Sequence, residues 1–234
     1  ATMPPHAIAG LGVARTFQNI RLYDTQSVLE NVLAGCHMHR SGQVARAREA
    51  LATICPDLAA RENEPVRNLS YPDKRRVEMA RALATGARLL LLDEPAAGMN
   101  PDEIVRAAAD IRHLRDRGHT VVVIEHHMDL IADACDRVVV LDHGELIAAG
   151  TPAEVAANPA VIAAYLGGGS AERGTRAATG GADAGGGLPV LLRMEDVHAS
   201  YGPVEVLRGV SLEVRSGEIV ALLGANAAGK STVM

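Results

Sequence analysis

The end of the sequence carries a motif whose residue types and spacing suit phosphate binding. Residues 224–231 read G-A-N-A-A-G-K-S, which fits the pattern G-x-x-x-x-G-K-S. Its glycines let backbone N–H groups close around phosphate oxygens, Lys230 supplies charge to the β and γ phosphates, and the Ser231 hydroxyl can bind Mg²⁺. An apolar run at residues 219–223 predicts a buried strand directly before the loop, a context in which chance matches are rare.

Two adjacent acids follow a second apolar run. Residues 89–92 are four leucines, which require burial on both faces and so suit an inner strand of a parallel sheet. The run stops at Asp93 and Glu94. Ligands bind at the carboxyl ends of the strands in such sheets, where adjacent acids suit a magnesium ion and a water to be activated. The alternative is a buried strand followed by a solvated acidic turn.

Two further stretches place polar residues where a ligand could meet them. His126 follows a predicted strand at residues 120–124, which puts it on the same sheet edge as the two acids, although taken alone it is more typical of a structural histidine. Ser70 lies in a loop at residues 65–73, ahead of a predicted helix at residues 74–84. A serine-bearing loop at a helix amino end can bind an anion, and an ordinary N-cap is the equal alternative.

Apolar periodicity, together with capping and turn residues, predicts the remaining elements. In the helix at residues 74–84, apolar side chains recur on one face, and Arg75, Arg76 and Arg81 are predicted to face away from it. A cap at Asn100 with an N1 proline starts a helix that ends at Gly118. An Asp-His-Gly turn at residues 142–144 predicts a hairpin, and a capping box follows it at residues 151–154.

Composition sets the class of protein. The 234 residues are 48% hydrophobic and 22% charged, as in a globular protein, and the net charge of −5 argues against a nucleic-acid partner. Cys36, Cys55 and Cys135 lie far apart without metal-ligand spacing, which predicts reduced core thiols in a cytosolic protein. No run approaches the roughly 18 apolar residues of a membrane span.

Residues 167–187 differ from the rest of the chain. They are dense in glycine and alanine and have no apolar period, which predicts a flexible linker. A new globular pattern starts at residue 188 and runs to the phosphate-binding motif. The chain is therefore expected to contain two globular segments, residues 1–166 and 188–234.

With both nucleotide motifs in one chain, the sequence resembles the ATPase subunits of ABC transporters, specifically those of branched-chain amino-acid importers. Besides the phosphate-binding loop, the matching stretches are the Q-loop (Gln18 in R-T-F-Q-N), the start of the signature (L-S-Y at Ser70), Walker B (Asp93 and Glu94), the D-loop (G-M-N-P at residues 98–101), the switch histidine (His126) and the adenine-stacking aromatic (Tyr201). The resemblance implies an α/β P-loop NTPase fold, here incomplete, with a mainly parallel sheet, flanking helices and a helical signature subdomain at about residues 25–85.

The same resemblance implies the ligands and the role of each residue. ATP and Mg²⁺ would be the cofactors, with Asp93, Ser231 and Gln18 at the metal, and with Glu94, His126 and Gln18 catalytic. The residues expected at the nucleotide are Gly224, Asn226, Gly229, Lys230, Ser231, Thr232, Tyr201 and Ser70.

The implied function is ATP hydrolysis that energises an importer of branched-chain amino acids or related small polar solutes. The expected partners are a second ABC ATPase domain, transmembrane permease subunits and, indirectly, a periplasmic solute-binding protein. The expected location is the cytoplasmic face of the plasma membrane. A nucleotide-binding scaffold without hydrolysis and a soluble ABC ATPase outside transport are the alternatives.

The order of the motifs is unusual for this family, in which the phosphate-binding loop comes first. In one arrangement, residues 1–166 are the latter two-thirds of a first domain and residues 188–234 begin a second, so that neither domain is complete. In the other, residues 188–234 dock on residues 1–166 as a circularly permuted single domain. The second arrangement is favoured for the isolated chain and places Lys230 near Asp93. This chain alone is expected to show no appreciable ATPase activity.

Four positions depart from the family pattern. Pro72 and Asp73 follow Leu-Ser-Tyr where glycine and glutamine are usual, and proline has no N–H to offer a phosphate. Ala227 stands where these importers usually have glycine, and His127 replaces an acid. The first departure weakens the expected anion site, and together the departures support the scaffold alternative.

Overall fold

The computed structural model describes residues 3–39, 41–166, 188–225 and 227–234, without the side chains of residues 164–166. The predicted linker at residues 167–187 and the predicted ligand Asn226 lie outside the described residues.

Strands and helices alternate through most of the described chain. The strands are β1 (Val13–Arg15), β2 (Leu89–Asp93), β3 (Thr120–Ile124), β4 (Arg137–Asp142), β5 (Glu145–Gly150), β6 (Val190–Tyr201), β7 (Val204–Arg215) and β8 (Ile219–Gly224). The α-helices are α1 (Pro5–Gly10), α2 (Val28–Leu33), α3 (Gln43–Ile54), α4 (Pro56–Ala59), α5 (Tyr71–Ala84), α6 (Pro101–Asp116), α7 (Met128–Ala134), α8 (Pro152–Ala156), α9 (Pro159–Leu166) and α10 (Lys230–Val233). Short 3₁₀ helices occupy Ala34–Met38 and Val66–Asn68.

Six of the strands form one sheet in the order β1-β2-β3-β8-β4-β5. All neighbours pair in parallel except β5, which forms an antiparallel hairpin with β4. Strands β6 and β7 form a separate antiparallel hairpin. The predicted α/β class with a mainly parallel sheet and flanking helices is confirmed, and the carboxyl ends of β1, β2, β3 and β8 meet at one edge.

Strand β8 fills the centre of the sheet although it comes last in the sequence. Leu222 lies beside Ile124 of β3 on one side and Val139 of β4 on the other, and every residue of β8 is buried. The Arg137 Nε donates to Glu218 Oε1 at 2.7 Å at the start of β8. Residues 188–234 therefore dock on residues 1–166.

Helices α2 to α5 form the predicted helical region and correct one prediction. Arg75 and Arg76 were expected on an outward face of α5, but they are only 3% and 9% exposed. The Arg76 guanidinium is buried because it binds Asp57 of α4 at 2.9 Å and Asp110 of α6 at 3.0 Å. Both acids come from helices distant in sequence, so the periodicity of α5 did not show that this face is covered.

All three cysteines are free and buried, and burial raises the pKa of each thiol, to about 12 for Cys55 and Cys135. Since the thiolate is the reactive form, we expect the folded protein to resist iodoacetamide at pH 8 and the unfolded protein to take up three equivalents. Mass spectrometry of labelled samples with and without guanidinium measures this. Rapid labelling of any cysteine in the folded protein would contradict the buried placement.

Across the described ranges, no helix combines the length and the apolar composition that crossing a membrane requires.

Candidate functional site

The two acids of the site lie at the end of β2. Gln18 follows β1, and its side-chain amide donates to Glu94 Oε2 at 3.0 Å. Glu94 adopts a left-handed conformation with φ of 46°, and its N–H donates to the Ile124 carbonyl at 2.9 Å. Strained backbone of this kind is concentrated at functional sites, where the surrounding structure holds it. The predicted Q-loop and Walker B residues are therefore in direct contact.

Asp93 is almost completely buried, and its carboxylate has a partner that the sequence analysis missed. The Arg15 Nη2 donates to Asp93 Oδ2 at 2.9 Å, and the backbone N–H of Asp93 donates to the Thr16 hydroxyl at 3.2 Å. Arg15 ends β1, which neighbours β2 in the sheet. The position of Arg15 three residues before Gln18 was the only signal available in the sequence.

The phosphate-binding loop delivers Lys230 to the same edge. The Lys230 ammonium donates to the carbonyls of Gly224 at 2.7 Å and Ala225 at 2.9 Å. Burial lowers the pKa of Lys230, and the negative charges of Glu94 and Asp93 partly oppose that effect. These two carboxylates act on Lys230 through space, so the loop and the acids share one electrostatic environment.

The loop backbone fits closely against its neighbours. Gly229 has a φ of 97°, and a Cβ at this position would lie 2.7 Å from the Leu207 Cδ2 of β7. The Gly144 N–H, in the turn between β4 and β5, donates to the Ala228 carbonyl at 3.1 Å. Ala227 has a φ of 68°, a conformation that favours glycine, so the departure at this position carries backbone strain.

The other two predicted ligands on the loop lie in its short helix, α10. The Ser231 side chain is exposed at the helix start, and the Thr232 N–H donates to the Gly229 carbonyl at 3.0 Å. The exposed Ser231 hydroxyl would be available as an oxygen ligand for a metal ion.

The neighbouring residue Glu125 positions His126, and this role was not predicted from the sequence. The Glu125 carboxylate is fully buried, and it accepts hydrogen bonds from the backbone N–H groups of Ala96 at 2.9 Å, His126 at 2.9 Å and His127 at 3.2 Å. The His127 Nδ1 lies 2.7 Å from the same carboxylate. Glu125 thus fixes the segment after β3 to the loop after β2, and His126 keeps an exposed ring at the edge.

Glu125, His126 and His127 also form the one cluster of metal-ligating groups among the described residues, with ligand atoms within 4.8 Å of one another. Both Glu125 oxygens already accept hydrogen bonds from this part of the chain. Their arrangement is fully explained by positioning of the histidine segment, so we assign the cluster that role.

The remaining two predicted nucleotide ligands are Ser70 and Tyr201. Ser70 caps α5, and its hydroxyl accepts from the Asp73 N–H at 3.3 Å. The ordinary N-cap, which was the alternative for this loop, accounts for that contact. Tyr201 lies at the tip of the β6-β7 hairpin and is 68% exposed.

Three side chains spaced one turn apart on α5, those of Arg75, Glu78 and Arg81, bind the Q-loop backbone. The Arg75 guanidinium donates to the carbonyls of Phe17, at 2.7 Å, and of Gln18, and it pairs with Glu78 at 3.2 Å. The Glu78 carboxylate accepts from the Arg21 N–H at 3.3 Å, and Arg81 donates to the Arg21 carbonyl. These contacts connect α5 to the backbone of Gln18.

We expect Arg75→Met to lower the free energy of unfolding by about 3 to 5 kcal/mol. The substitution removes the closer of the two guanidinium groups that pair with the buried Glu78 carboxylate, leaving Arg81 at 3.6 Å, and it frees two carbonyls of the Q-loop. Urea unfolding followed by circular dichroism measures the change. The matched control is Arg67→Met, at an exposed position, with an expected change within about 0.5 kcal/mol. Equal effects of the two variants would contradict the fastening role.

Two family models match the sequence. Residues 4–97 match the ABC transporter family, and residues 145–171 match a family described as branched-chain amino acid ATP-binding cassette transporter.

Curated relatives match most of the chain. It is 38% identical over 182 residues to the high-affinity branched-chain amino acid transport ATP-binding protein BraF of Pseudomonas aeruginosa, covering 70% of this chain and 71% of BraF. It is 38% identical over 184 residues to LivG of Escherichia coli, with the same coverage. It is 33% identical over 168 residues to the lipopolysaccharide export system ATP-binding protein LptB of Escherichia coli, covering 70% of this chain and 69% of LptB.

Solved structures of ATP-binding cassettes share the fold. The ADP conformation of MJ1267, an ATP-binding cassette of an ABC transporter, is 26% identical with a TM-score of 0.64, covering 70% of this chain and 72% of that one. The cbiO1 protein of Clostridium perfringens, part of the ABC transporter complex cbiONQ, is 27% identical with a TM-score of 0.59, covering 65% and 62%.

Proposed function

The chain belongs to the ABC transporter ATP-binding family, and from that premise we propose that it binds and hydrolyses ATP to energise import of branched-chain amino acids or related small polar solutes. The observation that carries the proposal is that β2 and β8 run parallel and end at one sheet edge, so that Asp93, Glu94 and the loop of Lys230 lie at the same edge. The match of residues 145–171 to the branched-chain family, together with the BraF and LivG relatives, favours this cargo over the lipopolysaccharide of LptB.

The proposed roles follow from the positions of the side chains. The N–H groups of residues 224–229 and the Lys230 ammonium bind the phosphates of ATP. Glu94 polarises the attacking water, and Gln18 holds the Glu94 carboxylate at 3.0 Å in the orientation that this needs. His126, with its exposed ring, orients the water and the γ-phosphate.

The oxygen donors at this edge suit Mg²⁺, which prefers hard ligands and retains several waters. Asp93 presents a carboxylate at the end of β2, and Ser231 presents an exposed hydroxyl at the start of α10. Gln18 completes the proposed set. Mg²⁺ would neutralise charge on the β and γ phosphates, and these three side chains would hold it in place.

We further propose that residues 1–166 and 188–234 derive from two ATPase domains joined head to tail. Each nucleotide would then lie between the phosphate-binding loop of one domain and the signature of another. The Ser70 side of α5 is exposed, as contact with a second domain requires. On this basis we expect the isolated chain to bind nucleotide without appreciable turnover, because no second signature faces its loop.

The proposed partners are therefore a second ATPase domain, permease subunits and, through them, a periplasmic solute-binding protein. The proposed location is the inner face of the plasma membrane. The relatives are ATP-binding components of transport systems by their names, which supports the permease partner.

A non-hydrolysing scaffold is the second candidate, and the signature favours it. Pro72 and Asp73 occupy the first turn of α5. Pro72 has no N–H to donate to an anion, and the carboxylate of Asp73 repels one. Ser70 is already used as the N-cap.

Hydrolysis in a complex with the permease subunits separates the two candidates. We expect Glu94→Gln to lower ATP turnover at least about 100-fold while changing nucleotide affinity less than about threefold. The matched control is Glu103→Gln in the capping box of α6, where glutamine also serves, and its turnover should stay near that of the parent protein. Nucleotide binding without turnover by the unsubstituted protein in its complex with the permease subunits would instead establish the scaffold.

A further inference from the structure

Arg15 occupies the carboxylate that the proposed function gives to the metal. Its Nη2 lies 2.9 Å from Asp93 Oδ2, in a pair whose side chains are 29% and 8% exposed. Within the described ranges, Arg15 is the only side chain that donates to this carboxylate. A buried carboxylate needs a counter-charge, and Arg15 supplies it without a metal.

The rest of the Arg15 guanidinium is weakly held. Its Nε is buried and has no hydrogen-bond partner. Its Cζ lies 5.5 Å from the centroid of the Phe17 ring, within the range of a cation–π contact. Arg15 therefore has one strong bond, to Asp93, and an aromatic face beside it on which the cation can remain if that bond opens.

The Arg15 guanidinium and a divalent cation would compete for the Asp93 carboxylate because both are positively charged. A divalent cation bound by Asp93 would stand within a few ångströms of the guanidinium, and at that distance like charges repel strongly in a partly buried site. Arg15 must then give up its bond to the carboxylate or remain as a repelling neighbour.

We propose that Arg15 is an internal counter-ion that holds Asp93 in the metal-free state and competes with Mg²⁺ for it. The inference rests on the proposed function, in which Asp93 is a metal ligand. Arg15 would act as a positioning residue: it keeps the Asp93 carboxylate in place between nucleotide cycles and weakens the metal site.

Binding of Mn²⁺, an EPR-visible probe in place of Mg²⁺, tests the proposal in the 234-residue chain saturated with a non-hydrolysable ATP analogue. We expect Arg15→Gln to bind Mn²⁺ about tenfold more tightly than the parent, because the competing charge is gone. Arg15→Lys keeps the charge and should stay within about threefold of the parent. The matched control is Arg21→Gln, because the Arg21 guanidinium stacks on the same Phe17 ring at 4.2 Å and should leave the Mn²⁺ affinity unchanged.

Unchanged or weaker Mn²⁺ binding by Arg15→Gln would overturn the proposal. If Arg15→Gln is unfolded without metal, we expect Mn²⁺ and the nucleotide analogue to restore its folded structure. Failure to restore it would overturn the proposal. Asp93→Asn separates this outcome from failure of the proposed function. If Asp93→Asn binds Mn²⁺ as well as the parent does, the metal role of Asp93 is wrong, whatever Arg15 does.

Discussion

Lys230→Met is expected to weaken nucleotide binding at least about 100-fold, measured by titration calorimetry with the same ATP analogue. The Lys230 ammonium is held by the carbonyls of Gly224 and Ala225 inside its own loop, so its position is set before any phosphate arrives. Methionine keeps the length and apolar stem of the side chain and removes the charge and the donors.

Lys74 provides the matched control, because it is the only other lysine in the sequence. Its ammonium lies 3.9 Å from the exposed carboxylate of Asp24, a surface pair of little energetic weight. Lys74→Met should leave the nucleotide affinity within about twofold of the parent. Equal losses in the two variants would show that the phosphate-binding loop does not bind the nucleotide.

Leu222→Ala is expected to lower the free energy of unfolding by about 2 to 5 kcal/mol in urea denaturation. Leu222 is fully buried in β8 between Ile124 of β3 and Val139 of β4, so truncation leaves a cavity at the centre of the sheet. Val204→Ala is the control, because Val204 is 61% exposed on the hairpin and should change stability by less than about 0.5 kcal/mol. A change that small in Leu222→Ala would mean that β8 is not an inner strand.

Most of the sheet could be predicted from the sequence because its strands are short apolar runs with clear ends. The leucines of β2, the run of β3 and the capping box of α6 each agree with local rules. Parallel strands place their carboxyl ends at one edge, so Asp93, Glu94 and His126 were expected together.

The missed features all depend on contacts between distant parts of the chain. Arg75 and Arg76 looked like solvent-facing charges because nothing near them in the sequence shows that Glu78, Asp57 and Asp110 lie around them. Nothing in the local sequence around Arg15 or Glu125 indicated their buried partners. Their partners are supplied by the neighbouring strand and loop, and local periodicity carries no information about those.

Strand β8 completes the sheet of its own chain and so brings the phosphate-binding loop to the sheet edge that carries the acids of β2. Amide hydrogen exchange by NMR on a sample shown by light scattering to be monomeric tests this arrangement most directly. We expect the amides of β8 to be protected as strongly as those of β3, since both are inner strands. Rapid exchange in β8 in the monomer, or protection that occurs only in a dimer, would contradict it.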